Sequence, residues 1–466
     1  MNRRSFLKST ALGAVGLFAA RTASAANSSN RPNIICILAD DVGYGDLSCY
    51  GQKRFSTPNL DRMAREGMKF SEHYSGSAVC APARYTLMTG RHIGHANTTG
   101  QGQQLRPNEL TIAEMLKKNG YATAMIGKWG LGDRTGRPDR KGFDFWYGFL
   151  NQRRAHFHYP NWVWKNGEKE MLPDNPTKHT HHTQDLFTRE AMAFIRKNKN
   201  RPFFLYLPYT LVHAELIVPD EYEKPFIGKL DDKPVEPKPY GILRSGYNRP
   251  RNRHAAFAGA MTFLDRDIGK ILALLKELDL DDNTIVMFTS DNGPHSEGGA
   301  DPKYFDSNGP LQRGKGWLYE GGIRVPMIAR WPGRIKPAGK TDHPSYFPDV
   351  LPTIAEICKV KPQTQGARDG ISFAPTLLGR GTQATHEYMY WCHNRHRAVR
   401  SGKWKLYRMY DNWNDTAKFR QGLYDLSKDP GEENDLSEAN PKLVEAMEKR
   451  LMEFEPWKDK GRKLRK

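Results

Sequence analysis

Pro32-Asn33-Ile34-Ile35-Cys36-Ile37-Leu38-Ala39 runs straight into Asp40-Asp41, with glycines following at 43 and 45. A short apolar run rich in β-branched side chains, without polar alternation, reads as a strand buried on both faces, as in a parallel sheet covered by helices. Its abrupt end puts carboxylates at a strand's carboxyl end, where open α/β sheets bind ligands. Thr284-Ile285-Val286-Met287-Phe288-Thr289 is a second such run, ending in Ser290-Asp291-Asn292-Gly293. Taken singly, each tip is an ordinary turn. Strands and helices alternate from about residue 32 to 380, so the fold class expected is α/β, a mainly parallel sheet sandwiched by helices. The helices have readable ends. Thr57-Pro58 opens one that Gly67 closes, and Thr111 with Glu114 forms a capping box leading to Gly120. Phe257, Met261, Leu264, Ile268, Ile271 and Leu275 mark the longest amphipathic helix, read as core.

Cys80-Ala81-Pro82-Ala83-Arg84-Tyr85-Thr86-Leu87-Met88-Thr89-Gly90 places a cysteine where a short helix begins. Pro82 suits a first turn, and Gly90 suits a helix end. The four-residue spacing puts Cys80 and Arg84 on one face at the positively polarised end, a ready anion pocket. Alone, such a cysteine is a small buried apolar residue. The run from Ala78 to Gly90, however, resembles the signature of the type I sulfatases of the alkaline phosphatase superfamily, whose cysteine is oxidised to formylglycine.

This resemblance spans essentially all of the chain after the first 25 residues, with its specific motifs confined to about five short segments. It implies that Asp40, Asp41, Asp291 and Asn292 are ligands of Ca²⁺, with an oxygen of modified Cys80 or of the bound sulfate completing the shell. Such hard donors also suit Mg²⁺. It further implies a catalytic set of Cys80, Arg84, Lys128, His213 and Lys315. Lys128 ends the strand after Gly120, His213 follows the run Arg201–Pro208, and Lys315 lies between Asn308 and the segment Tyr319–Pro326. In the implied reaction a hydroxyl of the hydrated aldehyde attacks sulfur, His213 or Lys315 protonates the leaving oxygen, and the second hydroxyl expels sulfate. One position departs from the pattern: the family continues Lys-Trp-His, whereas Gly130 follows Trp129 here. His295 is the expected substitute or a sugar contact. From about residue 385, short strands around 388–392, 398–400 and 404–407 and a helix opened by Asn440-Pro441 resemble the family's smaller antiparallel C-terminal subdomain. His393, Arg395 and His396 in its first loop are expected to reach substrate.

The domain division expected is a leader over 1–25, a catalytic domain over 26–384 with an inserted loop at about 220–253, and a subdomain over 385–466 with a basic tail. Arg3-Arg4, the mild apolar run 11–20 and Ala23-Ser24-Ala25 read as a twin-arginine (Tat) export signal with its cleavage site, so the expected location is periplasmic or secreted. That run is too short to span a bilayer, and stable membrane insertion is not expected. The net charge is +19, from 71 Lys and Arg against 52 Asp and Glu. Losing Arg3, Arg4, Lys8 and Arg21 with the leader leaves about +15. No nucleic-acid motif accompanies this excess, so a sulfated carbohydrate, or an aryl sulfate, is the substrate expected. The other partners are the export machinery and a formylglycine-generating maturation enzyme. Cysteines at 36, 49, 80, 358 and 392 show no paired spacing, and no essential disulfide is expected. Two other readings stand beside the sulfatase: a phosphonate or phosphate monoester hydrolase of the same superfamily, and a catalytically silent polyanion-binding protein.

Overall fold

The computed structural model describes residues 31–96, 100, 102, 104–231, 234, 250–361, 369–412 and 415–454. The leader, the centre of the expected inserted loop (232–233 and 235–249) and the basic tail lie outside the described residues. In chain order the first strands are β1 (Asn33–Ala39), β2 (Met68–Phe70), β3 (His73–Tyr74), β4 (Ala122–Lys128), β5 (Phe145–Phe149), β6 (Trp162–Lys165), β7 (Glu168–Met171) and β8 (Phe203–Pro208). Then come β9 (Thr284–Ser290), β10 (Met327–Arg330), β11 (Gly339–Thr341), β12 (Ser345–Tyr346), β13 (Met389–His393), β14 (His396–Ser401), β15 (Trp404–Asn412) and β16 (Asp415–Asp425).

The large sheet has the order β11-β2-β10-β9-β1-β8-β4-β5-β6-β7. Its centre, β9-β1-β8-β4-β5, is parallel throughout. Antiparallel partners flank it: β10 against β9 and β2 on one side, and β6 against β5 and β7 on the other. Side chains of β1 alternate between two cores, Ile35, Ile37 and Ala39 facing one and Ile34, Cys36 and Leu38 the other. This is why the strand reads as continuously apolar. Leu60 and Met63 of the Pro58–Glu66 helix, and residues from helices Thr183–Asn198 and Arg253–Glu277, fill the first core. Helices Cys80–Thr89, Ile112–Lys118 and Val350–Ile357 cover the second. All six apolar positions that mark the long helix are buried. The Thr111–Glu114 capping box is formed in both directions. The large sheet and its two helical layers are the expected α/β sandwich.

Strands β13 to β16 form a separate antiparallel sheet, with the Pro441–Leu451 helix packed on it. β14 and β15 extend beyond their expected limits, and β16 was not anticipated, because Lys418 and Arg420 interrupt its apolar pattern. This sheet docks through Trp391, whose indole N–H donates to Ser75 O at 2.7 Å, and through a fully buried ion cluster. Lys405 Nζ lies 2.9 Å from carboxylates of both Glu320 and Glu432, all without solvent exposure. Removing one member of such a cluster strands the others as buried charges, so Lys405→Met is expected to cost about 3–5 kcal/mol, read from the urea midpoint. With two carboxylates sharing one ammonium, burial and the charge on Glu320 raise Glu432 from 4.5 to about 7, against the pull of Lys405. The folded state then holds a proton that the unfolded state releases. This contribution to stability is full below about pH 4.5 and is lost as pH rises through about 7. Glu432→Gln is expected to flatten that part of a Tm–pH curve.

Candidate active site

Four neighbouring parallel strands end on the same edge, and their first loop residues form the site. β1 delivers Asp40 and Asp41, β9 delivers Asp291 and Asn292, β4 ends in Lys128, and the turn after β8 carries His213. Register pairs Ala39 with Ser290, which sets the two acidic tips side by side. Asp41 adopts φ 66°, a left-handed conformation that Asp tolerates, and its N–H donates to Asp291 Oδ1 at 3.2 Å. The Cys80–Thr89 helix starts at this edge and ends at Gly90, whose φ of 67° lets its N–H bond Thr86 O. The loop bearing Lys315 is pinned by Lys315 N–H to Pro294 O (3.0 Å) and Gly316 N–H to Ala78 O (2.8 Å).

Asp40, Asp41, Cys80 and His213 converge within one ligand-sized space. Three cations face three carboxylates there. Lys128 Nζ is 2.6 Å from Asp40, Arg84 Nη2 is 2.7 Å from Asp291, and Lys315 Nζ is 2.8 Å from Asp41. Arg84, Lys128 and all three aspartates are fully buried, whereas the Lys315 side chain keeps 15 % exposure, so Lys315 is the cation that meets the solvent-facing cleft. Burial opposes ionisation of Asp40, but Lys128 and Arg84 outweigh it and hold its carboxyl well below the usual range. Burial and the charge on Asp40 push Asp291 the other way, up to about 7. Burial also pushes the Cys80 thiol up to about 12, despite Lys128 and Lys315. An unmodified thiol here is therefore no thiolate nucleophile at neutral pH.

His213 donates from Nδ1 to Ala214 O (2.5 Å), which leaves Nε2 to accept from Lys315 Nζ at 2.9 Å. Burial and then Lys315 hold the imidazole well below its ordinary pKa, while Asp41 holds Lys315 well above its own against burial. The shared proton thus resides on Lys315. His295 stacks on His213 at 5.5 Å, donating from Nε2 to Val212 O and accepting from Glu297 N–H at Nδ1, so both its nitrogens are committed within the protein.

A cleft of about 530 Å³ opens above Lys315, lined among others by Val79, His295, Glu297, Asn308, Arg313 and Trp317. His393 and Arg395 are not among its lining residues. His393 meets Asn394, and Arg395 bonds Asp411 O. Of that loop, His396 approaches the cleft, its ring 5.0 Å from Trp317. The loop after β5 brings two residues that the sequence did not single out. His156 stacks on His213 at 3.9 Å, and Gln152 packs against Gly130. Only the irregular, aromatic-rich composition of 150–160 marked that loop, and nothing local in it points toward β8.

The donor set suits a hard divalent cation. Asp40 Oδ1 and Asn292 Oδ1 are buried and accept no hydrogen bond among the described residues, which is costly unless a further partner binds. No disulfide joins the cysteines among the described residues. No described helix is long and apolar enough to cross a membrane.

Residues 32–360 match the Sulfatase family, and residues 313–456 match the N-sulphoglucosamine sulphohydrolase C-terminal family. The N-acetylgalactosamine-6-sulfatase of Canis lupus familiaris is 31 % identical over 477 residues, covering 91 % of this chain and 85 % of the relative. The crystal structure of Ps i-CgsB in complex with k-i-k-neocarrahexaose superposes with a TM-score of 0.77 at 29 % identity, covering 92 % of this chain and 94 % of that one. The phosphonate monoester hydrolase of Agrobacterium radiobacter shares the fold alone, with a TM-score of 0.65 at 18 % identity over 91 % of this chain and 95 % of that one. With a family match that runs from β1 past the Lys315 loop and so takes in every strand tip of the acidic and cationic cluster, this chain belongs to the sulfatase family and is a hydrolase of sulfate esters.

Proposed function

We propose that the chain removes sulfate from a carbohydrate sulfate ester, through formylglycine made from Cys80 and with a divalent cation, Ca²⁺ by preference, held by Asp40, Asp41, Asp291 and Asn292. The observation that carries this reading is the convergence of a buried residue 80 with three carboxylates and three cations on one sheet edge. A cation bound there would neutralise the carboxylates and supply a Lewis acid for the sulfate oxygens. A hydrated aldehyde at position 80 supplies an oxygen nucleophile and a second hydroxyl through which sulfate is released.

The remaining work falls to the chain's own groups. Arg84 and Lys128 hold positive charge in a dry wall, where it acts on a sulfate oxyanion far more strongly than in water. Lys315 carries the proton nearest the cleft and is the donor to the leaving ester oxygen, while His213 orients its ammonium. Trp317 offers an apolar face at the mouth, suited to a sugar ring. The sugar complex of Ps i-CgsB and the positive net charge support a sulfated carbohydrate as substrate. The twin-arginine leader supports export after folding, with Cys80 matured beforehand.

Turnover of 4-nitrophenyl sulfate and 4-nitrophenyl phosphate, with a panel of sulfated galactan and glycosaminoglycan oligosaccharides, tests this. The expected result is release of sulfate from at least one oligosaccharide and a kcat/KM for the aryl sulfate at least about 100-fold above the phosphate. A preference for phosphate would overturn the reading. Lys315→Ala is expected to lower kcat by about 10²–10⁴-fold on a sugar sulfate and less on the aryl ester, whose leaving group needs no proton.

A further inference from the structure

Gly130 has φ +75°, and its N–H continues the β4–β5 ladder to Leu150 O at 3.2 Å. A Cβ at this position would lie 2.2 Å from Gln152 Nε2, 3.3 Å from Gln152 Cδ and 3.9 Å from Arg84 Cδ. The carboxamide of Gln152 therefore occupies the volume into which a side chain at 130 would project, on the wall of the site beside Arg84. Both polar atoms of that carboxamide, Nε2 and Oε1, are buried and have no hydrogen-bond partner among the described residues. Leaving a buried polar group unsatisfied costs about 1–3 kcal/mol, and a chain gains nothing by burying one beside the Arg84 side chain unless a ligand satisfies it. The ligand that this wall admits is an anion. Arg84 supplies charge, and Nε2, the amide atom nearest Gly130, supplies N–H donors.

We propose that Gln152 is a sulfate-binding residue, donating from Nε2 to an oxygen of the bound sulfate group and taking the place that a residue-130 side chain would hold. The assignment rests on the sulfatase reading above. It makes Gly130 and Gln152 one unit: a glycine is required so that an amide from the β5 loop can enter, and the amide is required because the glycine contributes nothing. It also accounts for the departure at Gly130 without His295, whose ring nitrogens are both engaged elsewhere.

The test compares Gln152→Ala and Gln152→Glu with the unsubstituted enzyme in three measurements: kinetics on 4-nitrophenyl sulfate, inhibition by inorganic sulfate, and Tm. Glutamate keeps the size of glutamine but turns the donor into an acceptor. Gln152→Glu is expected to lower kcat/KM and weaken sulfate inhibition by at least about 100-fold. Gln152→Ala should weaken both by about 10-fold and leave Tm within about 2 °C, since no protein hydrogen bond is lost. A packing role predicts the reverse order, with the near-isosteric Gln152→Glu benign and Gln152→Ala losing Tm. That order, or unaltered sulfate inhibition in Gln152→Glu, would overturn the proposal. Failure of the sulfatase reading is distinguishable, since the unsubstituted enzyme would then turn over no sulfate ester. Calorimetric titration of inorganic sulfate into it and into Gln152→Glu would still decide what Gln152 binds.

Discussion

Cys80→Ser is expected to lower turnover of 4-nitrophenyl sulfate by at least about 10³-fold while changing stability by less than about 1 kcal/mol, since oxygen for sulfur is nearly isosteric in this buried position. A serine at the start of the Cys80–Thr89 helix sits beside Lys128 and Lys315 as the cysteine does, and its hydroxyl can still take up sulfate. The ester so formed has no second hydroxyl on the same carbon, so it cannot collapse. Intact-mass measurement after incubation with substrate should therefore show a stable gain of about 80 mass units in Cys80→Ser and none in Cys80→Ala. In the active enzyme, the peptide containing position 80 should be lighter than its gene-encoded form by about 18 mass units, as CH₂SH becomes CHO. Activity should depend on coexpression with the maturation enzyme. Full activity with an unmodified Cys80 would end the formylglycine assignment, and with it the need for a thiol at a helix start.

The second large effect concerns the cation. Chelation by EDTA is expected to reduce activity by about 10²-fold or more, with recovery on adding Ca²⁺ and weaker recovery on adding Mg²⁺. A readout independent of turnover is available, because an ion that binds the folded state alone raises Tm with the logarithm of its concentration above Kd. Ca²⁺ should raise the Tm of the unsubstituted chain and raise it less in Asn292→Ala. Asn292 is the cleanest position to probe. Its Oδ1 has no hydrogen-bond partner among the described residues, so what the fold loses is the two bonds from Nδ2, to Asp41 at 2.6 Å and to Gly293 O at 2.9 Å. Asn292→Ala is expected to raise the Ca²⁺ concentration for half-maximal activity by about 10- to 100-fold. Asp291→Ala is a harsher change. It takes from the fully buried Arg84 its nearer carboxylate, bonded at 2.7 and 3.0 Å, and leaves the more distant Asp40 at 3.6 Å, at a cost of about 3–5 kcal/mol. If neither chelation nor added Ca²⁺ moved Tm or activity, the unpartnered oxygens of Asp40 and Asn292 would need another explanation.

The segments that form these two proposed sites stand out in the chain because each is written locally. A strand that ends in Asp40-Asp41 or Asp291-Asn292 announces its tip by the change from apolar to acidic within two residues, and the Cys80–Gly90 run carries its own helix start and stop. For His393 and Arg395 the sequence offers only a loop rich in basic residues; in the fold His393 meets Asn394, Arg395 bonds Asp411 O, and the His396 ring comes near Trp317. β16 was missed for a related reason: its pairing with β15 supplies the order that its own composition does not.

Read alone, the sequence determined the α/β class, the strand tips, the helix caps and the identity of the acidic and cationic groups, because periodicity, capping and turn chemistry act over a few residues. Tertiary structure decided which tips are neighbours, through the order β9-β1-β8-β4. It also decided that the Lys315 ammonium meets His213 Nε2, that Lys405 is shared by Glu320 and Glu432, and that Gln152 enters the space beside Gly130. Each of these depends on the approach of segments distant along the chain, set by how the two faces of one sheet are covered, and no local pattern encodes such an approach.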